Sequence, residues 1–351
     1  MKIRENNLSA VFLLGAGATR GAISHVVVNK KRVKAPLNSD FFKVAETYAR
    51  AMGNDSQGYR RLSRLRKVFT DEIPIRGYPT MEEAFSLLFI AKDFPEIYKV
   101  GPGKRPLPGT RKEIEDFLYL TFEILALLDL ENERTTGYDR LATVLRADDT
   151  VVSLNYDTLL DSALVRRGWN PKVGYRLGGD SRKIKWKPKQ KDSERHLSGV
   201  SLLKLHGSIN WFVRGSHNSL SKVFESKPVR VTAPRRNDFA KHIRQIVPPI
   251  YGKIFEHSHW RSLWSKAFKA LCSAEVFIVI GCSLIDTDFH LRALLSRVVS
   301  YRKQENCLFR RVILVAPTIT RRKWQKALRG SYRATTAYPT FENFLRRELK
   351  V

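Results

Sequence analysis

The stretch Ser9–Ala22, SAVFLLGAGATRGA, decides how this chain is read. Its apolar run VFLL is bounded by glycine and reads as a buried strand; a glycine turn and the start of a helix follow, as at the opening of a nucleotide-binding α/β unit. Gly15, Ala16, Gly17, Ala18 and Thr19 carry little side chain, so their backbone amides can approach a diphosphate at a helix N-terminus, where the dipole favours anions. A tight turn with no ligand has the same composition. Two nucleotide-binding classes fit poorly. A dehydrogenase fingerprint needs Gly or Ala at its sixth position, where this chain has Arg20, and no acidic residue clearly ends a second strand about twenty residues on. The phosphate-binding pattern GxxxxGK[ST] is absent.

The same grammar recurs along the rest of the chain. TVVSLNYD (150–157) reads as one strand, SLLKLHGSINWF (201–212) as a buried strand ending in a turn, and EVFIVIGCSL (275–284) and RRVILVAP (310–317) as one strand each; helical spacing follows in TLLDSALVRRG, FHLRALLSRVVSYRKQ and a segment from about Arg321. A helix WRSLWSKAFKALCSA precedes the third of these strands. Strands alternating with helices predict a mostly parallel sheet covered on both faces, with ligands outside the carboxyl ends of its strands. Residues about 40 to 147 differ: FFKVAETYARAM, YRRLSRLRKVF, MEEAFSLLFIAKDF, RKEIEDFLYLTFEILALLDL and YDRLATVLRA all have helical spacing. They read as a helical insertion over 41–147 in an α/β domain formed by 1–40 and 148–351. Residues about 176 to 199 read as an exposed basic loop or small ribbon.

Composition sets the bounds. The chain has 351 residues, 43% of them apolar, enough for at least one full core. No apolar run approaches the roughly 20 residues of a membrane span, and no apolar secretory segment precedes the first strand, so a cytoplasmic protein is expected. Cys272, Cys282 and Cys307 form no CxxC pair, which supports neither a disulfide framework nor structural zinc. The 63 Lys and Arg against 34 Asp and Glu give +29, which points to a polyanionic partner, nucleic acid or an acidic protein. The excess clusters at Arg60, Arg61, Arg64, Arg66 and Lys67, at Lys183, Lys185, Lys187, Lys189 and Lys191, and at Arg321, Arg322, Lys323, Lys326 and Arg329. Any one cluster is also what a solvated face looks like. Trp211, Trp260 and Trp264 read as core rather than as base-stacking platforms.

Polar residues at the strand ends carry the chemistry. Asn155 and Asp157 close the second strand, where packing alone has no need of them, although Asp157 also suits a helix cap and Asn155 a turn. His206 ends the apolar run LLKL beside Gly207. Gly281, Cys282 and Ser283 end another strand, and Asp286 and Asp288 follow on the turn into a helix, where capping and ligand roles are both open for Asp286.

Taken together, GAGAT (15–19), SLNYD (153–157), KLHGS (204–208) and VIGCSLIDTD (279–288) resemble, in order and spacing, the sirtuin-like domain family of bacterial antiphage-defence NAD hydrolases. The resemblance covers roughly residues 8–40 and 148–340 and implies a Rossmann-type, mostly parallel sheet with helices on both faces. It further implies that NAD is the substrate and no metal is needed. Gly15, Ala16, Gly17, Ala18 and Thr19 would hold the diphosphate, Asn155 the nicotinamide ribose and the attacking water, and Asp157 the carboxamide. His206 would act near the ribose hydroxyls, and Gly281 and Ser283 would lie by the adenosine half. Protein-deacylating sirtuins carry a four-cysteine zinc module that three scattered cysteines cannot build, which shifts the expectation from deacylation toward NAD hydrolysis. Deacylation, ADP-ribosyl transfer and a catalytically silent nucleic-acid-binding module are the alternatives. An NAD-depleting enzyme must be restrained, so the family analogy also implies a homo-oligomer or a partner such as a HerA-type ATPase, with nucleic acid a further candidate through the basic clusters.

Overall fold

The computed structural model describes residues 8–72, 77–94, 110–130, 136–178, 197, 199–214, 242–250 and 258–349. The chain divides into two compact units, one of Met1–Ile23, Glu133–Val247 and Ile254–Val351, the other of Ser24–Asn132 and Pro248–Lys253.

The first unit is built on a six-stranded sheet. Its strands are β1 (Ala10–Leu14), β4 (Thr150–Ser153), β5 (Ser201–Lys204), β8 (Val276–Ile280), β9 (Phe309–Val315) and β10 (Tyr332–Tyr338), in the spatial order β10-β9-β8-β1-β4-β5. Every neighbouring pair is parallel. Counted along the chain, this is the doubly wound order 3-2-1-4-5-6, which reverses direction between β1 and β8 and so places the topological switch point at their carboxyl ends. The central strands have no solvent face: all five residues of β1 and all five of β8 are buried, as continuous apolar runs in a two-sided parallel sheet must be.

Helices α1 (Ala16–Ala22), α6 (Gly137–Ala142), α7 (Leu159–Arg166), α8 (Pro171–Gly174), α9 (Ser258–Ser273), α10 (Phe289–Gln304), α11 (Thr318–Ala327) and α12 (Phe341–Phe344) belong to this unit. The region 201–212 departs from its sequence reading. It is two strands, because Gly207, at φ +85°, turns the chain after His206; β6 (Gly207–Arg214) then pairs antiparallel with β7 (His242–Ile246) in a separate small sheet. Strand β10 has no apolar run. Its sequence YRATTAY is half-exposed, and β9 holds it through the register Tyr332↔Phe309 to Tyr338↔Val315, with the Arg311 guanidinium donating to Thr336 Oγ1 at 2.8 and 2.9 Å.

The second unit holds a hairpin, β2 (Val26–Val28) and β3 (Lys31–Val33), and helices α2 (Phe41–Met52), α3 (Gln57–Lys67), α4 (Met81–Asp93) and α5 (Thr110–Leu130). Asn29 and Lys30, both at positive φ, make the tight turn of the hairpin. Phe117 of α5 stacks on Phe85 of α4 with ring centroids 4.0 Å apart and meets Phe41 of α2 at 5.0 Å. The basic run on α3 is not all solvated. Arg61 is buried with Glu123 and Asp116 and lies over the Tyr119 ring, and Arg64 makes a two-pronged contact with Asp116 at 2.6 and 2.8 Å. Lys183, Lys185, Lys187, Lys189 and Lys191 lie outside the described residues. No helix among the described residues is long and apolar enough to cross a membrane.

Candidate active site

Four consecutive strands, β8, β1, β4 and β5, bring the four sequence motifs to one edge of the sheet. Parallel register aligns Ile280, Leu14 and Ser153 in one row and sets Lys204 beside Ser153. The chain beyond that row is still tied together by backbone bonds: Gly15 N to Ile280 O at 3.0 Å, Leu154 N to Leu14 O at 3.0 Å and Leu205 N to Ser153 O at 2.9 Å. Asn155 and His206 therefore stand two residues past the last paired positions of neighbouring strands.

The glycines of the first turn are required by their neighbours. Gly17 N donates to Gly281 O at 2.9 Å. A Cβ on Gly15 would lie 2.6 Å from Cys282 Cα, one on Gly17 2.8 Å from Gly281 O, and one on Gly281, at φ +59°, only 2.0 Å from Ala18 N. The turns after β1 and β8 thus interlock backbone to backbone at the switch point. Gly17 N is engaged there and Ala18 N bonds Gly15 O at 2.8 Å, while Ala16 and Ser283 are exposed at the edge.

Asn155 is 8% exposed, and its Nδ2 donates to Gly15 O at 2.9 Å and to Thr19 Oγ1 at 3.0 Å, with Tyr138 Oη at 3.4 Å. Thr19 in turn donates to Asp157 Oδ2 at 2.7 Å, and Asp157 Oδ1 accepts from Leu159 N at 3.2 Å. Both oxygens of Asp157 are thus committed within the protein, one of them as a cap-like contact at the start of α7. Burial pushes the Asp157 carboxyl up, against the pull of Lys204 and the Thr19 hydrogen bond. Burial, with Asp157 nearby, holds the Tyr138 phenol well above its ordinary value, so it stays a neutral hydroxyl. Beneath this layer Lys204, 1% exposed, donates to Asp157 O and Asp161, and Tyr175 bonds Asp161 while Asn210 donates to Tyr175 Oη at 3.2 Å.

His206, 6% exposed, has its Nε2 3.5 Å from Asp288 Oδ2. The rings of Tyr156 and Trp264 are its neighbours, each with its centroid 6.4 Å from that of the imidazole. Val247 N bonds His206 O at 2.9 Å and Tyr156 Oη donates to Val247 O at 2.6 Å, tying the histidine backbone to the small sheet. Asp288, not Asp286, caps α10, accepting from Leu291 N; Asp286 is exposed and pairs with Arg292 and Lys323. Trp211 and Trp260 are core residues with rings 6.3 Å apart, and Trp264 is half-buried. Tyr138 and Lys204 escape the sequence reading: an aromatic on an amphipathic helix and a lysine in a strand carry no local sign that they meet residues from other segments.

A doubly wound parallel sheet with a glycine turn at its switch point, and Asn, Asp and His at the next strand ends, defines a Rossmann-type nucleotide-binding protein. The family model of the SIR2-like domain matches residues 149–331, just over half of the 351, and the chain belongs to that family. Among solved structures it is similar to a Sir2 homologue mutant in complex with 2′-O-acetyl ADP-ribose (12% identity over 97% of this chain and 90% of that one, TM-score 0.43). It is also similar to a Sir2–p53 peptide–NAD+ complex (13%, 100% and 98%, 0.43) and to a Sir2 homologue–NAD complex (13%, 68% and 73%, 0.35). Among curated proteins, none matches the chain.

Proposed function

We propose that this protein is an NAD glycohydrolase, releasing nicotinamide and ADP-ribose, and that it serves in the cytoplasm as an antiviral-defence effector that depletes NAD when activated. The observation that carries the reading is the gathering of the Gly15–Thr19 turn, Asn155, Asp157, His206 and the Gly281–Ser283 turn at the carboxyl edge of four adjacent strands. A metal has no assigned part in it.

The chemistry suits these residue types. The bond between C1′ of the ribose and the pyridinium nitrogen breaks with its electron pair leaving on nicotinamide, which departs neutral and needs no acid. Water adds to the oxocarbenium-like C1′ and loses a proton. Because a backbone carbonyl only accepts, the contact with Gly15 O fixes the Asn155 amide with Nδ2 inward. Its Oδ1 is then the atom assigned to orient a ribose hydroxyl or the water, by position and dipole rather than as a base. His206 takes the proton, a role worth about 10²–10⁴ in rate. Restraint of the activity is assigned to self-association or to a partner, a HerA-type ATPase or nucleic acid, the last supported by the +29 charge.

The test is incubation of the protein with NAD, with and without DNA, following nicotinamide and ADP-ribose. Asn155→Ala and His206→Ala are each expected to abolish release while the protein stays folded; undiminished turnover in both removes the mechanism. Acceleration by an acyl-lysine peptide would instead point to deacylation.

A further inference from the structure

His206 and Asp288 meet although their strands do not. β5 and β8 are separated by β1 and β4, a distance of about 14 Å at ordinary strand spacing. The segment Gly281–Asp288 therefore reaches from the tip of β8 past two strand ends before Asp288 arrives beside His206. Two residues on this path, Gly281 (φ +59°) and the buried Leu284 (φ +49°), adopt left-handed backbone, which favours a defined course over an extended one. On arrival Asp288 does two things at once. Its Oδ1 accepts from Leu291 N at 3.3 Å as the cap of α10, and its Oδ2 lies 3.5 Å from His206 Nε2, with the two side chains 4% and 8% exposed. The cap fixes the carboxylate, and the rings of Tyr156 and Trp264 neighbour the imidazole.

We propose that Asp288 is a positioning residue for His206: its carboxylate holds the proton of the neutral imidazole on Nε2, so that Nδ1 is the nitrogen that accepts a proton, and it stabilises the imidazolium that results. An imidazole has one acceptor nitrogen when neutral, and the partner of the other nitrogen decides which one. In proton balance, one proton passes to Nδ1, the Nε2 proton stays in place, and Asp288 remains ionised. Contacts of this length tighten as charge develops on the ring. The kinetic part of the proposal rests on the NAD-cleaving reading above, whereas the tautomer part does not.

Two substitutions separate the cap from the charge. Asn and Ser both cap helices well, so Asp288→Asn and Asp288→Ser are expected to keep thermal midpoints near that of the parent protein. The Asn variant turns an amide donor toward Nε2 and imposes the wrong tautomer, whereas Ser withdraws from the ring and leaves the tautomer unforced. The expected order of kcat for nicotinamide release is therefore parent, then Ser, then Asn, with the Asn variant down about 100-fold or more and KM for NAD within about twofold. Independently, ¹⁵N-histidine spectra, with the His206 signals assigned by their loss in His206→Ala, should show Nε2–H in the parent and Nδ1–H in Asp288→Asn. An Asn variant with kcat within about threefold of the parent, or a parent ring protonated on Nδ1, overturns the proposal. A parent protein that never cleaves NAD defeats the functional reading instead, and the spectra still decide the tautomer.

Discussion

The side-chain amide of Asn155 donates to the carbonyl oxygen of Gly15 at 2.9 Å, tying the tip of β4 to the glycine turn that follows β1. The same nitrogen reaches Thr19, whose hydroxyl donates to Asp157, so two strand ends and the first helix share one buried network. Asn155 is consequently held through Nδ2, and Oδ1 is the end to which the proposed chemistry is assigned.

Substitutions at Asn155 should show both ends. Asn155→Ala removes the amide contacts to Gly15 O and Thr19 Oγ1, leaving Gly15 O with the Ala18 N donor alone, and is expected to cost about 1–3 kcal/mol in urea unfolding, together with loss of nicotinamide release. Asn155→Asp sets an acceptor against the Gly15 carbonyl and should be no more stable than the alanine variant. A fully stable Asn155→Asp protein would mean the amide is not held this way.

Gly281 and Gly178 offer a controlled pair. Both have positive φ, +59° and +66°, but a Cβ on Gly281 would lie 2.0 Å from Ala18 N and 2.1 Å from Gly17 C, whereas one on Gly178 would meet nothing within 4 Å among the described residues. Gly178→Ala should cost about 1–2 kcal/mol, from backbone strain alone. Gly281→Ala should cost more than about 4 kcal/mol or yield no folded protein, since the obstructing atoms are backbone. Equal losses in chemical denaturation would refute the interlock of the two turns.

Lys204 and Asp161, at 1% and 2% side-chain exposure and 3.2 Å apart, form a buried pair beneath the site. Lys204→Met strands the Asp161 charge and should cost about 3–5 kcal/mol. Adding Asp161→Asn should recover a substantial part of that loss, because the uncompensated charge is gone. A double variant as unstable as the sum of the two single ones is the contrary result, and a double-mutant cycle reads it directly.

Asp139 predicts an acid limb of stability. Burial works to raise its carboxyl, but the Thr136 backbone bond and the Arg166 hydrogen bonds and charge outweigh it and hold the group below 3.8. Stability from a depressed carboxyl is present above the unfolded value and lost as pH falls through the folded one. The parent protein should therefore exceed Asp139→Asn by about 0.5–1 kcal/mol at neutral pH, the partners being partly exposed, and the gap should close below about pH 3.8. A gap that stays constant between pH 6 and about pH 2 would exclude this linkage.

The local grammar of the chain was legible because each rule acts over a few residues. Continuous apolar runs such as AVFLL and VFIVI mark two-sided strands, glycines mark the turns, and polar residues where packing wants none mark Asn155, Asp157 and His206. The helices at 41–52, 81–93 and 289–304 follow from spacing in the same way. Strand β10 was hidden, since a half-exposed edge strand has no apolar run to display. The break of 201–212 into two strands was hidden too, because Gly207 beside an ionisable residue reads equally as the end of one.

Long-range partnership is a property of the folded chain. Thr19 meets Tyr138 and Asp157 across 119 and 138 residues of sequence, Lys204 meets Asp161 across 43, and His206 meets Asp288 from a strand three places away. Periodicity records which face of an element is apolar. Which polar groups share that buried space depends on strand order and register, and these emerge only when the sheet assembles and every buried donor must find an acceptor.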